Sequence, residues 1–177
     1  MARTIKVKDL KREITKTFKN KLQTEINKTS FKKQIVKESM DMIYKRAKTG
    51  YGVKSDEDPN TKPEKFKKLS PRYRKFRRGV KLGENATPTF SNVTLSGQLL
   101  KAFGWTLKLN GFKIFIKRSR RKGIELKNGK KITTSKTNAD IHDYVRKTRP
   151  FLNLTSREQK IIKKYYEKLV RSLARRF

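Results

Sequence analysis

The sequence predicts an α+β fold with N-terminal helices, a small antiparallel sheet built from hairpins, and a C-terminal helix packed on that sheet. Three observations carry this expectation. Apolar residues recur every four positions near the N-terminus, two Asn-Gly turns interrupt short apolar runs in the middle, and a capping box opens the last apolar-periodic segment. The 177 residues are read as a single domain, 1–177.

Leu10, Ile14, Phe18, Leu22 and Ile26 form one narrow stripe on a helix, with charged residues between them. A spacing of four overshoots a full turn by about 40°, so the stripe winds around the helix and suits a crossing contact. Asn27 to Ser30 breaks the pattern, and Ser30 is the expected cap of a second helix. That helix carries Phe31, Ile35, Val36, Met40, Ile43 and Tyr44 and ends at Gly50. Helices are therefore expected over about 6–49. Residues 51–63 hold Asp56-Glu57-Asp58, Pro59, Pro63 and Gly52, and read as an exposed loop.

Ser70-Pro71 supplies an N-cap followed by proline at the first helical position, which opens a short basic helix over 70–78. Lys81 to Asn92 is polar and irregular. Leu95, Leu99, Leu100 and Phe103 then follow at helical spacing around Gly97. Hairpins are expected over about 103–134. With Asn110-Gly111 as a two-residue loop, the first would pair Leu109 with Phe112, Leu107 with Ile114 and Trp105 with Ile116, burying Trp105. A three-residue loop at Lys127-Asn128-Gly129, with Gly129 left-handed, pairs Glu125 with Lys131 and Ile124 with Ile132. Thr155-Ser156-Arg157-Glu158 is a capping box that opens the last helix, about 156–176, with Ile162, Tyr166, Leu169 and Leu173 inward.

Charge is the dominant compositional fact. Forty-nine Lys and Arg stand against fifteen acids, a formal net charge of +34, while hydrophobic residues make up 33%. Most cations lack an acidic partner within the chain, so the folded state repels itself and calls for an external anion. The small core implies that neighbours complete part of the stability. Lysines outnumber arginines, 33 to 16, which favours bulk electrostatics over base-edge reading, although AT-rich codon usage gives the same bias. No apolar run matches a secretory signal or a membrane span, so a soluble protein made in a cytoplasm and making no membrane contact is expected.

Catalytic chemistry is not expected. Cysteine is absent and His142, in Asp140-Ile141-His142-Asp143, is the one histidine, which makes a zinc site a poor fit and a structural or surface role the better one. Asp56-Glu57-Asp58 reads as a solvated acidic loop. Nucleophile-elbow and phosphate-loop motifs are missing. The chain is read as a non-enzyme with no catalytic residues, cofactor or metal.

Binding is the open property. Residues 62–78 hold nine cations against Glu64, interleaved with Phe66, Tyr73 and Phe76, and include Arg72, Arg74, Arg77 and Arg78. Lys117, Arg118, Arg120, Arg121 and Lys122 form a second cluster, read as a loop tip past a strand end. Either suits phosphate backbone or an acidic protein, and either can also be a solvated face; no sequence-reading signature accompanies them.

Three segments, in order, resemble a known family. Leu69-Ser70-Pro71-Arg72-Tyr73 and the basic residues after it, Leu95-Ser96-Gly97-Gln98-Leu99-Leu100, and Arg149-Pro150-Phe151-Leu152 are similar to motifs of tailed-bacteriophage virion-morphogenesis and tail-completion proteins. The resemblance covers roughly residues 30–175, with Ser96 where the family has threonine and 51–63 as an insertion. It implies a structural protein of the virion neck, the head–tail connector. There it would be a homo-oligomeric ring between portal- or adaptor-side and tail-side proteins, making non-specific contact with the genome it passes. Ser70, Pro71, Leu95, Gly97, Leu99, Arg149, Pro150, Phe151 and Leu152 would then be structural. A stand-alone, sequence-nonspecific nucleic-acid-binding protein is the alternative.

Overall fold

Lys28 alone, in extended backbone, separates two helices and folds the second back on the first. The computed structural model describes residues 7–55, 58, 61–82, 98–108, 111–147 and 150–176, with side chains from Lys11 onward. Helix α1 spans Val7–Asn27 and α2 spans Thr29–Lys48. Ser30 lies inside the first turn of α2, and Lys28, with no side-chain cap bond, holds the capping position. One extended residue is enough to reverse the chain, so no loop of the expected length is needed.

The stripe on α1 is only partly covered. Phe18, Leu22 and Ile26 are half-buried, whereas Ile14 is 53% exposed. Helix α1 packs against α2 and against α6 (Ser156–Ala174). Helix α2 is the central support: Ile35, Val36, Ser39, Ile43 and Ala47 are all buried. It ends at Thr49, and Gly50 follows with φ 88°, a conformation that favours glycine.

Strand β1 (Tyr51–Val53) pairs antiparallel with β2 (Pro63–Lys65), Tyr51 opposite Lys65. The segment expected to be an exposed loop is thus closed at its ends into a ladder, and Gly52, Val53 and Thr61 are buried. A close approach explains Gly52: a Cβ there would lie 2.1 Å from the Pro150 carbonyl oxygen and 2.4 Å from the Phe66 ring. Asp56 and Glu57 lie outside the described residues.

Helix α3 (Pro71–Arg78) begins as expected, with the Ser70 hydroxyl accepting from the Tyr73 N–H at 3.3 Å. Helix α4 is Gln98–Lys101. Leu95 and Gly97 lie outside the described residues.

Strands β3 (Phe103–Lys108) and β4 (Gly111–Ile116) pair with Trp105 opposite Ile114 and Leu107 opposite Phe112. Lys108 stands opposite Gly111, so the ladder takes in a residue expected in the turn and every pair slips by two. A slip of two preserves the face. Phe103, Trp105, Leu107, Phe112, Ile114 and Ile116 still share one side. Their burial follows the expectation only in part: Ile116 is buried, as is Phe103, but Trp105 is 39% exposed. On the opposite side the Phe115 ring takes the space that a Cβ at Gly104 would need, at 2.8 Å, and this favours the slipped register. Leu109 and Asn110 themselves lie outside the described residues.

Strands β5 (Ile124–Glu125) and β6 (Lys131–Ile132) pair as expected, Ile124 with Ile132 and Glu125 with Lys131, with Gly129 at φ 82°. Among the described residues the strands form three separate two-stranded sheets. The fold is α+β with N-terminal helices and a C-terminal helix, and α6 packs on α1 and α2. Phe31 and Tyr166 meet edge-on between α2 and α6, centroids 5.2 Å apart. Among the described residues no helix is long and apolar enough to cross a membrane.

Helix α5 (Asn138–Arg146) has no counterpart in the sequence expectations. Thr137 and Asp140 form its capping box, which was legible as Thr-x-x-Asp but lacked the apolar run that usually follows. Ile43, Ala47, Phe66, Leu99, Leu100, Ala102, Phe103, Ile116 and Phe151 make the central cluster, drawn from α2, the run from α4 into β3, β4 and the segments that follow β2 and precede α6. Phe151, fully buried, is its hub, stacked on Phe103 at 6.3 Å and edge-on to His142 at 5.4 Å.

Candidate anion-binding surface

The two basic clusters, some forty residues apart in sequence, meet around the hairpin β5–β6. The Gly79 carbonyl accepts from Lys127 N–H at 2.8 Å, Lys81 N–H donates to the Glu125 carbonyl at 2.9 Å, and Val80 forms a bridge with Leu126. These bonds hold the end of α3 against the hairpin that immediately follows segment 117–122. Arg121 lies near enough to Tyr73 of α3 to feel its charge. Burial lowers its pKa and the nearby Tyr73 opposes that shift, so the two side chains share one electrostatic environment.

Segment 117–122 was read from sequence as a loop tip, but it is pinned on both sides. Gln98 clamps Lys122 through two bonds: its side-chain amide donates to the Lys122 carbonyl at 3.1 Å and its side-chain oxygen accepts from the Lys122 N–H at 2.8 Å. On the other side Asn138 donates from backbone and side chain to the Ser119 carbonyl (3.0 Å) and hydroxyl (2.8 Å), and Arg120 bridges to Thr137. The backbone is thus fixed while Lys117, Arg118, Arg120 and Lys122 remain exposed and Arg121 is half-buried.

Nearby acids are already engaged. Glu125 pairs with Lys81 at 2.6 Å, and that hydrogen bond and charge hold its carboxyl below the usual range. Asp140 accepts from the Thr137 backbone and hydroxyl, which lower its pKa, with Arg118 and Lys136 adding at longer range. Among the described residues no ion pair claims Arg118, Arg120 or Lys122.

On α3 the outcome is mixed. Arg72, Arg74 and Arg78 are exposed, and Tyr73 stacks on Phe76 at 5.8 Å. Arg77, expected to contact an anion, is only 2% exposed and belongs to the interior. The reason is geometric: α3 lies on the protein with one face inward, and position 77 falls on it.

Of the residues singled out by resemblance, Ser70 and Pro71 start α3 and Leu99 is buried. Pro150 gives its carbonyl to Val53 N–H at 2.9 Å, Phe151 is the core hub and Leu152 packs against the same cluster. Arg149 lies outside the described residues. Sequence reading missed the residue that holds this segment. Arg46, on α2, is ion-paired with Glu158 and donates to the carbonyls of Phe151 (2.9 Å) and Asn153 (2.6 Å). No local signal marks one arginine among sixteen as buried.

His142 is buried on α5, with Nδ1 3.5 Å from the Asp143 carboxylate. Among the described residues no group of three or more His, Cys, Asp or Glu could hold a metal ion. In comparisons with protein-family models, curated proteins and solved structures, the chain matches none.

Proposed function

We propose that the chain is a non-enzymatic structural subunit of a tailed-phage neck, assembling as a ring between portal-side and tail-side proteins through which the genome passes. The observation that carries this reading is the ordered set of three segments resembling the connector family. Its support is that residues of the second and third segments, Leu99, Leu100 and Phe151, share one apolar cluster, as structural motifs of a common fold would.

Charge and exposure add to it. Duplex DNA offers one negative charge per ~1.7 Å, so a ring about 40 Å high encloses roughly two dozen phosphates. Six or twelve subunits at +34 would carry on the order of two to four hundred positive charges, far more than the enclosed DNA could neutralise. Acidic neighbouring rings and counterions would meet most of the rest. Ile14, Trp105, Ile161 and Val170 are exposed apolar side chains that a subunit interface would cover.

Stand-alone nucleic-acid binding is the second reading, favoured by the convergence of two arginine-bearing segments on one face. Mass photometry of the purified chain separates them. A closed ring of six or twelve copies is the expected result. A monomer at micromolar concentration, in low salt and at 150 mM salt alike, would overturn the neck reading.

A further inference from the structure

We propose that α3 and segment 117–122 form one sequence-indifferent binding surface for the phosphate backbone of nucleic acid. The proposal goes beyond the neck reading, because it names a site and a ligand and stands whether or not the chain forms a ring. Most of the chain's excess charge is lysine, but this face is not. Segments 71–78 and 117–122 together expose five of the sixteen arginines and only three of the thirty-three lysines. Arginine's planar fork suits phosphate oxygens, and its weaker hydration lowers the cost of contact.

The geometry supplies the rest. The Arg120 bridge to Thr137 fixes the middle of the segment. Arg118, Arg120 and Lys122 are exposed on it, while Ser119 bonds to Asn138 and Arg121 is half-buried. A row of three exposed cations on a clamped backbone is pre-organised: little further backbone ordering is required on binding a polyanion. Exposed Tyr73, stacked on Phe76 and flanked by Arg72 and Arg74, adds an aromatic surface beside the row. An acidic protein would satisfy the charge as well, and competition by poly-glutamate separates it from nucleic acid.

The test is fluorescence anisotropy of the full chain with two labelled 20-base-pair duplexes of unrelated sequence, between 50 and 200 mM NaCl. Equal affinities for both are expected. Each phosphate contact contributes about −0.9 to the slope of log K against log salt. The variant R118S/R120S/K122S should therefore flatten the slope by about 3, and R72S/R74S/R78S should flatten it comparably. K163S/K164S/K168S, three exposed lysines on α6, removes the same charge and should change the slope by less than 1. Circular dichroism confirms that each variant is folded. Equal losses in all three variants would overturn the proposal in favour of diffuse charge. Displacement of the duplex by poly-glutamate of equal charge as readily as by unlabelled duplex would overturn it in favour of an acidic protein. Binding that behaves as expected in a chain that stays monomeric would sink the neck reading and leave this site standing.

Discussion

Replacing Arg46 by methionine tests the claim that one buried ion pair ties the C-terminal third to α2. The Arg46 and Glu158 side chains are 8% and 13% exposed, so solvent screens the pair little. The substitution keeps most of the volume but leaves the Glu158 carboxylate without its cation and removes two donors from the Phe151 and Asn153 carbonyls. Glu158 keeps partial compensation, because it still accepts from the Thr155 N–H at 2.8 Å and hydroxyl at 3.0 Å. Breaking one side of a buried pair costs about 3–5 kcal/mol. Against a typical total of roughly 5–15 kcal/mol, that loss leaves the chain near its folding limit. Urea denaturation followed by far-ultraviolet circular dichroism measures it. The double variant R46M/E158Q removes the stranded charge and should recover part of the loss. A single-variant change below about 1 kcal/mol would refute the idea that the pair and its two carbonyl bonds hold Phe151–Glu158 in place.

Phe151→Ala should cost about 3–5 kcal/mol in the same titration, since a fully buried ring would be replaced by a cavity. Gly52→Ala should cost about 1–3 kcal/mol, because the new methyl meets the Pro150 carbonyl and the Phe66 ring. Thr155→Ala should remove about 1 kcal/mol through the lost cap of α6. Acid should destabilise the fold as pH falls through the carboxyl range. The folded pKa values of Asp140 and Glu125 are lowered, so their contribution is present above the unfolded values and lost on protonation. Asp140→Asn should flatten that pH dependence, measured as melting temperature between pH 3 and 6. Trp105 emission should be readily quenched by acrylamide in the isolated chain, and an unquenchable Trp105 in a monomer would contradict its exposed position.

The sequence made legible those elements whose signal is local. Ser70-Pro71, Thr155 with Glu158 and Gly129 each carry their own bond or backbone angle, and each behaves as read. The first hairpin shows the limit of such reading. Asn110-Gly111 is a strong turn signal, yet the ladder runs with Lys108 opposite Gly111, because the Phe115 ring fits over Gly104 and no local rule weighs that contact. Helix α5 was missed for a related reason: its cap was visible, but its nine residues lack a clear apolar period and rely on His142 and Ile141 packing against the Phe151 cluster. Burial of Trp105 was overestimated because a shared apolar face says nothing about whether another layer covers it.

The candidate surface was half legible, and the missing half is long-range. Composition identified both basic clusters but could not say that Gln98 and Asn138 clamp one of them, that the β5–β6 hairpin brings them together, or that Arg77 turns inward. These facts change what the charge can do. A flexible basic loop meets any anion and loses conformational entropy each time. A clamped row whose nearby carboxylates are held by Lys81 and Thr137, with Asp140 near enough to Arg118 to feel its charge, presents a fixed excess of positive charge to whatever approaches. The same balance explains the cost borne by the fold. Holding Arg118, Arg120 and Lys122 together raises the self-repulsion of the free chain, so an anion that binds there stabilises the folded state by mass action. A heparin or duplex-DNA titration should therefore raise the melting temperature of the parent chain more than that of R118S/R120S/K122S, and equal shifts in both would deny the row any special part.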